Sequence, residues 1–342
     1  MRKSYFIAET AFHHEGDADY LKSLIDQTKQ SGADGIKFQV LTEPRDFLST
    51  RHSAYERLAS FCLSLDQWKR LFDHTQQTGL DIILMPLNLK ALELCRDFDI
   101  RFMDIHSVLF NDYELLAGIK SKALPVILGV GGREVEEIAE LIHFFDGLVE
   151  VLMAGFQSYP SDLKKVRLGR ISGLRLRWPE LCIGYADHSS YLSEFCLKSS
   201  EYARLLGANL FEKHVTLREG EVRTDYEAAV SFEKLKEMIA SIRFLDDYVM
   251  PSPDDFTMTA EELRYRQRQL QCVARSGLRP GQRIEAGDVR LKMIDQADGL
   301  ARLEEAVGRV VGEAIEPDGL IRGACLMSET KTPVLTGQHE NM

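Results

Sequence analysis

The chain has no long apolar run, no CxxC pair and no surplus of positive charge, and each absence removes a class of function. Nothing in the 342 residues approaches the roughly 20 apolar residues needed to span a bilayer. At the amino terminus only Tyr5-Phe6-Ile7-Ala8 is uninterrupted before Glu9, too short for the apolar core of a secretion signal. The six cysteines, Cys62, Cys95, Cys182, Cys196, Cys272 and Cys325, are scattered, as expected of buried thiols in a reducing compartment. A cytoplasmic location is expected. Lys and Arg number 42 against 53 Asp and Glu, a formal charge of −11, which argues against non-specific nucleic-acid binding. No GxGxxG follows the first strand pattern, which instead runs into "TAFHHEGD", so a dinucleotide-binding open sheet is disfavoured.

What is present is an alternation of short apolar strands and longer helical patterns. Strands are predicted at 5–9, 35–40, 81–87, 101–106, 125–130, 150–155, 182–187 and 209–215. Helical periodicity falls at 20–31, 66–78, 89–97, 135–145, 192–206 and 231–248, with Gly32, Gly79 and Gly207 placed as left-handed caps. Eight such units in about 245 residues match a (β/α)8 TIM barrel. After "MPSPDDFT" (250–257) the texture changes to short strand-like pieces, "QCVAR", "DVRLKM" and "GRVVGEAI", separated by turns. The expected organisation is a barrel at 1–249, a linker at 250–269, a small β-rich domain at 270–328 and a disordered tail at 329–342.

In such a barrel, chemistry sits at the carboxyl ends of the strands. The polar residues predicted there are Glu9, His13, His14 and Glu15; Lys37 and Gln39; His106 and Ser107; Arg133; Gln157 and Tyr159; Asp187 and His188; and Glu212, Lys213 and His214, with Asp225 beyond. His188 and His214 close two neighbouring strands, where two imidazoles could share one metal ion or be two separate, satisfied histidines. Lys37 should point into the barrel, where a lysine binds an anion, forms a Schiff base or pairs a carboxylate such as Glu9.

The segments "IAETAFHHEGD", "GADGIKFQ", "SYP", "GYADHS" and "GANLFEKHVTL" resemble, in order, motifs of the sialic acid (N-acetylneuraminate) synthase family. The last 70 or so residues before the tail resemble that family's antifreeze-like (SAF) domain. The resemblance implies a homodimer and a metal-dependent condensation of phosphoenolpyruvate with an amino sugar such as N-acetylmannosamine, yielding a nine-carbon 2-keto acid. It implies Mn or Mg on His188 and His214, Glu15 and Asp225 orienting metal-bound water and sugar, and Lys37 and Ser107 on phosphoenolpyruvate. Gln157 and Tyr159 fall on substrate-binding positions.

The chain departs from the family pattern on the phosphoenolpyruvate side. Met85 and Gly129 stand where hydroxyls are usual, Asp104 where a lysine is usual, Leu109 where an acid is usual, and Ala186 where a serine is usual. The expectation is that Arg133 and Lys37 form a rebuilt anion site, with His106 adding a donor. The alternatives are a metal-dependent aldolase, lyase or isomerase that no longer takes phosphoenolpyruvate, or a catalytically silent paralogue.

Overall fold

The computed structural model describes residues 3–155, 160–251, 256–296 and 298–327, and the chain divides into two compact units, Met1–Met250 and Pro251–Met342. In the first unit eight parallel strands close on themselves: β1 (Tyr5–Glu9), β2 (Gly35–Val40), β3 (Asp81–Pro86), β4 (Ile100–Ile105), β5 (Val126–Gly129), β6 (Val149–Gly155), β7 (Cys182–Asp187) and β8 (Leu210–His214). Closure is made by β1, which pairs with β2 through Glu9 and Lys37 and with β8 through Glu9 and His214.

The helices that return the chain are set by local chemistry. Asp17 accepts from the backbone amides of Asp19 and Tyr20 to start the helix Ala18–Ser31, and Gly32, at φ 83°, stops it. Ser64 and Gln67 cap the helix Leu65–Thr78 reciprocally. The stretch predicted as a helix at 89–97 forms tighter 3-10 turns at Leu89–Arg96 instead. Its entry residue explains part of this: the Asn88 amide donates to Thr42 and Asp46 and does not cap the helix.

Period-two alternation sorts the strand residues into two cores. Phe6, Ile36, Phe38, Leu84, Leu128 and Phe211 face outward and pack under the helices. Ile7, Ile83, Phe102, Ile127, Val151 and Leu210 face inward and form an apolar plug inside the barrel. Full burial of each such side chain contributes about 1.5–3 kcal/mol. At the amino-terminal end the Tyr5 hydroxyl donates to Asp81 Oδ2 at 2.6 Å, sealing the bottom of the plug. Two residues further along each strand, the inward positions are Glu9, Met85, Asp104, Gly129, Met153 and Glu212. The floor of the barrel mouth therefore carries charge at Glu9, Asp104 and Glu212, with Met85, Gly129 and Met153 between them, directly above an apolar layer.

The second unit pairs β9 (Gln271–Ala274) antiparallel with β10 (Val289–Lys292) around Cys272, Leu278, Ile284, Val289 and Val311. The third expected strand, "GRVVGEAI", makes isolated bridges from Val310, Val311 and Ile315 rather than a continuous ladder. The stretch 250–269, read as linker, contains the helix Ala260–Arg266, capped by Thr259 and Glu262. Two turns of helix were hidden there because the surrounding prolines and aspartates dominate the local composition. The 329–342 tail lies outside the described residues. Among the described residues no helix is long and apolar enough to cross a membrane.

Candidate active site at the barrel mouth

Lys37 sets the electrostatics of the mouth. Its ammonium is buried and lies 2.5 Å from Glu9 Oε2, 2.7 Å from Glu212 Oε2 and 3.2 Å from Asp104 Oδ2. Burial alone would push the lysine down, but Asp104 and Glu212 more than reverse this and its pKa is raised. Burial pushes Glu212 up, against the pull of Lys37. Three carboxylates around one ammonium give the cluster a formal charge of −2 when all are ionised. Asp104, where the resemblance leads one to expect a lysine, thus faces Lys37 as a counter-ion. The pairing of Lys37 with Glu9, one of the readings left open by the sequence, is the arrangement found.

Above the cluster, His188 and His214 meet edge to face, their ring centroids 4.9 Å apart. Both are buried at the ends of β7 and β8, and burial holds His188 down at about 3 and His214 well below the usual imidazole range. Both rings are therefore neutral at physiological pH, the form in which imidazole ligates a metal. That donor chemistry fits a divalent ion held by these two residues. Among the described residues no group of three or more His, Cys, Asp or Glu side chains is arranged to hold a metal, so water or substrate would complete the coordination. His106 lines the same mouth, and burial followed by the charge of Lys37 lowers its pKa too.

A cavity of about 30 Å³ is lined by the Lys37 cluster, the three histidines and Ser107. That is room for about one water between these side chains.

Glu15 and Asp225 come together through the loops after β1 and β8. Glu15 Oε1 accepts from the Thr224 amide at 2.8 Å and its hydroxyl at 2.9 Å, and Asp225 is the next residue. Glu15 (φ 49°) and Asp225 (φ 61°) both sit in the left-handed region, as does Ala11 (φ 45°). Strained non-glycine backbone of this kind concentrates at functional sites. Burial raises the pKa of the Asp225 carboxyl. Neither Glu15 nor Asp225 lines the small cavity.

His13 and His14 have structural partners. His13 bridges Thr224 O at 2.8 Å and Thr216 Oγ1 at 2.9 Å, pinning the same two loops. His14 Nδ1 accepts from the Gly16 amide, and its ring abuts Trp68. Asp187 and Lys213 point away from the mouth and pair with each other at 2.8 Å, fully buried, with Ser189 bonded to the same carboxylate. Arg133 donates to Glu137 at 3.0 Å and lies over the Phe110 ring. It does not line the cavity, so Arg133 and Lys37 are not brought together. Gln157 and Tyr159 lie outside the described residues.

A NeuB family model matches residues 24–249. The chain belongs to the NeuB family. An N-acetylneuraminate-9-phosphate synthase of Drosophila melanogaster is 25% identical over 95% of this chain and 96% of its own length. An N,N'-diacetyllegionaminic acid synthase of Campylobacter jejuni is 24% identical over 94% of this chain and 100% of its own. Among solved structures, a Chromobacterium violaceum protein assigned to spore coat polysaccharide biosynthesis superposes with a TM-score of 0.84 at 22% identity, covering 95% of this chain and 100% of that one. An N-acetylneuraminic acid synthetase of Leptospira borgpetersenii, crystallised with citrate, gives 0.67 at 23% identity over 78% of this chain and 92% of that one. The curated relatives of this NeuB-family chain thus include sugar-acid synthases.

Proposed function

We propose that the chain is a sugar-acid synthase. It joins the enol carbon of phosphoenolpyruvate to the aldehyde carbon of an open-chain N-acetylated amino sugar. Water adds at the former enol C2 and phosphate leaves, giving a nine-carbon 2-keto acid. The observation that supports this best is the pair of neutral, abutting imidazoles of His188 and His214 in the same mouth as the buried Glu212–Lys37 pair. A divalent metal, Mn or Mg, held by the two histidines would polarise the sugar carbonyl.

The chain's own residues have separable roles in this reading. Glu212, with its pKa raised by burial, is suited to hold and return a proton, and Lys37 fixes its position. Glu15, held by Thr224, and Asp225 would orient metal-bound water and sugar from the loops after β1 and β8. The apolar plug beneath keeps water from entering through the barrel.

One observation favours a second reading. The net negative Lys37 cluster, with Asp104 in it, opposes an anionic phosphate at the floor of the mouth, as expected of an aldolase that takes pyruvate in place of phosphoenolpyruvate. A panel of N-acetylated hexosamines, each with phosphoenolpyruvate or with pyruvate and with Mn(II), separates the two. Phosphate release matched by 2-keto acid formation supports the synthase; product from pyruvate alone supports the aldolase. Neither product with any sugar overturns both.

A further inference from the structure

His106 also lines the mouth, and the reaction above gives it no part. β4 ends at Ile105, and His106 enters the 3-10 turn Ser107–Leu109, where the Val108 amide donates to His106 Nδ1 at 3.2 Å. A ring nitrogen that accepts a hydrogen bond carries no proton, so the proton of the neutral imidazole sits on Nε2. Protonating the ring would set a second N–H against the Val108 amide, and burial and the charge of Lys37 also hold its pKa down. His106 is thus a neutral side chain with one fixed donor.

The surroundings leave that donor free. Among the described residues Nε2 has no hydrogen-bond partner, whereas Nδ1 is bound within its own turn. The ring lines the cavity shared by Lys37, Glu212, His188 and His214, so Nε2–H is the polar group it offers there. Gly129 lets the end of β4 sit where it does: a Cβ there would lie 3.0 Å from Ile105 O and 3.5 Å from the Ser107 amide nitrogen. A side chain at 129 would press on both residues that flank His106. In the closed order β4 lies four strands from β8 either way round, so His106 and His214 stand on opposite walls. Charge explains why a neutral group suits this wall. Lys37 is already held by Glu9, Asp104 and Glu212; a second cation beside them would be captured too, whereas an uncharged N–H is not.

Taking the chain as an enzyme that joins a three-carbon enol to a sugar aldehyde, we propose that His106 is a catalytic residue whose Nε2–H donates to the oxygen on C2 of the donor. In that reading the histidines of β7 and β8 serve the sugar carbonyl, which leaves the donor to the opposite wall. With phosphoenolpyruvate, C3 attacks the aldehyde carbon, whose oxygen takes a proton, and water adds at C2 with loss of a proton. The C2–O ester bond then breaks and its electron pair passes to the ester oxygen as phosphate leaves. The C2 hydroxyl gives up its proton to become the keto group. With pyruvate, loss of a methyl proton to a carboxylate of the mouth makes the same atom an enolate oxygen, which ends as the keto oxygen. In both reactions this oxygen passes through a state more negative than in the bound donor, and a fixed N–H stabilises that state. His106 keeps its proton throughout and acts as an electrophile, a role open to neutral imidazole.

The test sets two variants of the full chain against each other. In His106→Asn the side-chain oxygen takes the place of Nδ1 and keeps the bond from Val108, while the donor is lost. In His106→Gln the amide nitrogen reaches the place of Nε2 and keeps the donor, while the bond from Val108 is lost. Melting temperatures are measured together with turnover of N-acetylmannosamine, with phosphoenolpyruvate or pyruvate, in Mn(II). In His106→Asn, kcat should fall about hundredfold with KM for the donor unchanged. His106→Gln should regain most of that loss although it is the less stable variant. Wild-type turnover in His106→Asn, or activity that follows stability with Asn above Gln, overturns the proposal and leaves the synthase reading in place. Calorimetry with oxalate and Mn(II) adds a readout that needs no turnover, since this planar dianion carries charge where the enolate oxygen would. Oxalate should bind His106→Asn about tenfold weaker than wild type, and His106→Gln nearly as well as wild type. If the wild type forms no product from either donor, the synthase reading fails and oxalate decides. The same order of variants keeps the contact, whereas equal binding by all three, or none, overturns it as well.

Discussion

Replacing Lys37 by methionine keeps most of the side-chain volume and removes the only cation among the described residues that pairs with Glu9, Asp104 and Glu212. At an effective dielectric of about 20, each of these contacts is worth roughly 5–7 kcal/mol of gross attraction, most of it spent on desolvating the partners. Removing one partner of a buried ionic group typically costs about 3–5 kcal/mol, because charge is left buried and uncompensated. Here three carboxylates lose their counter-ion, so Lys37→Met is expected at the upper end of that range. Part of the penalty is relieved when the native state takes up protons. The carboxyl pKa values rise in the variant's folded state above their unfolded values near 4. The resulting loss of stability is therefore small at acid pH and grows as pH rises through the raised values. Urea unfolding at pH 7.5 and pH 5 should show a smaller deficit at pH 5. Adding Asp104→Asn to Lys37→Met should recover part of the loss at pH 7.5. A Lys37→Met deficit below about 1 kcal/mol, or one that is the same at both pH values, would refute the cluster as described.

His14 should contribute to acid lability. Burial lowers its pKa to about 4, so above pH 6.5 it has no effect and stability falls as pH drops from 6.5 towards 4, by about 2 kcal/mol at pH 5. In His14→Asn the loss of stability between pH 7.5 and pH 5 should be smaller by that amount, read from urea midpoints. Arg204, buried and 2.5 Å from Asp246 Oδ1, ties the helix Phe195–Leu205 to the helix Phe232–Tyr248; Arg204→Met should cost about 3–5 kcal/mol in thermal or urea unfolding. His188→Ala and His214→Ala should each abolish high-affinity Mn(II) binding in calorimetry while leaving the melting temperature of the metal-free protein within a few degrees. Mn(II) binding unchanged in both would remove the metal from these residues.

The barrel was legible because its strands are buried on both faces and therefore read as continuous apolar runs, as at β1, β2 and β7, whose predicted bounds match the structure. The helices Tyr55–Phe61 and Tyr113–Lys120 were missed because each is at most eight residues, too short for a period of 3.6 to stand out. At the site, His188 and His214 were found from their positions at adjacent strand ends. The carboxylate cluster was only half seen. Lys37 and Glu9 were paired as one option, but Asp104 and Glu212 were not placed around the same ammonium. The signal was available, since all four occupy inward positions one step above the apolar plug. Reading it requires the stagger of each strand against the next, which decides which inward residues share a layer, and strand order alone does not give that.

The central claim is carbon–carbon bond formation with loss of phosphate. It is tested most directly by mass spectrometry of one reaction: wild-type protein, Mn(II), phosphoenolpyruvate, and N-acetylmannosamine or its 6-phosphate. The account predicts a new species with the combined mass of donor, sugar and one water less phosphoric acid, formed in step with free phosphate and absent with His214→Ala. Intact donor and sugar after prolonged incubation, or phosphate released with no such species, would contradict it.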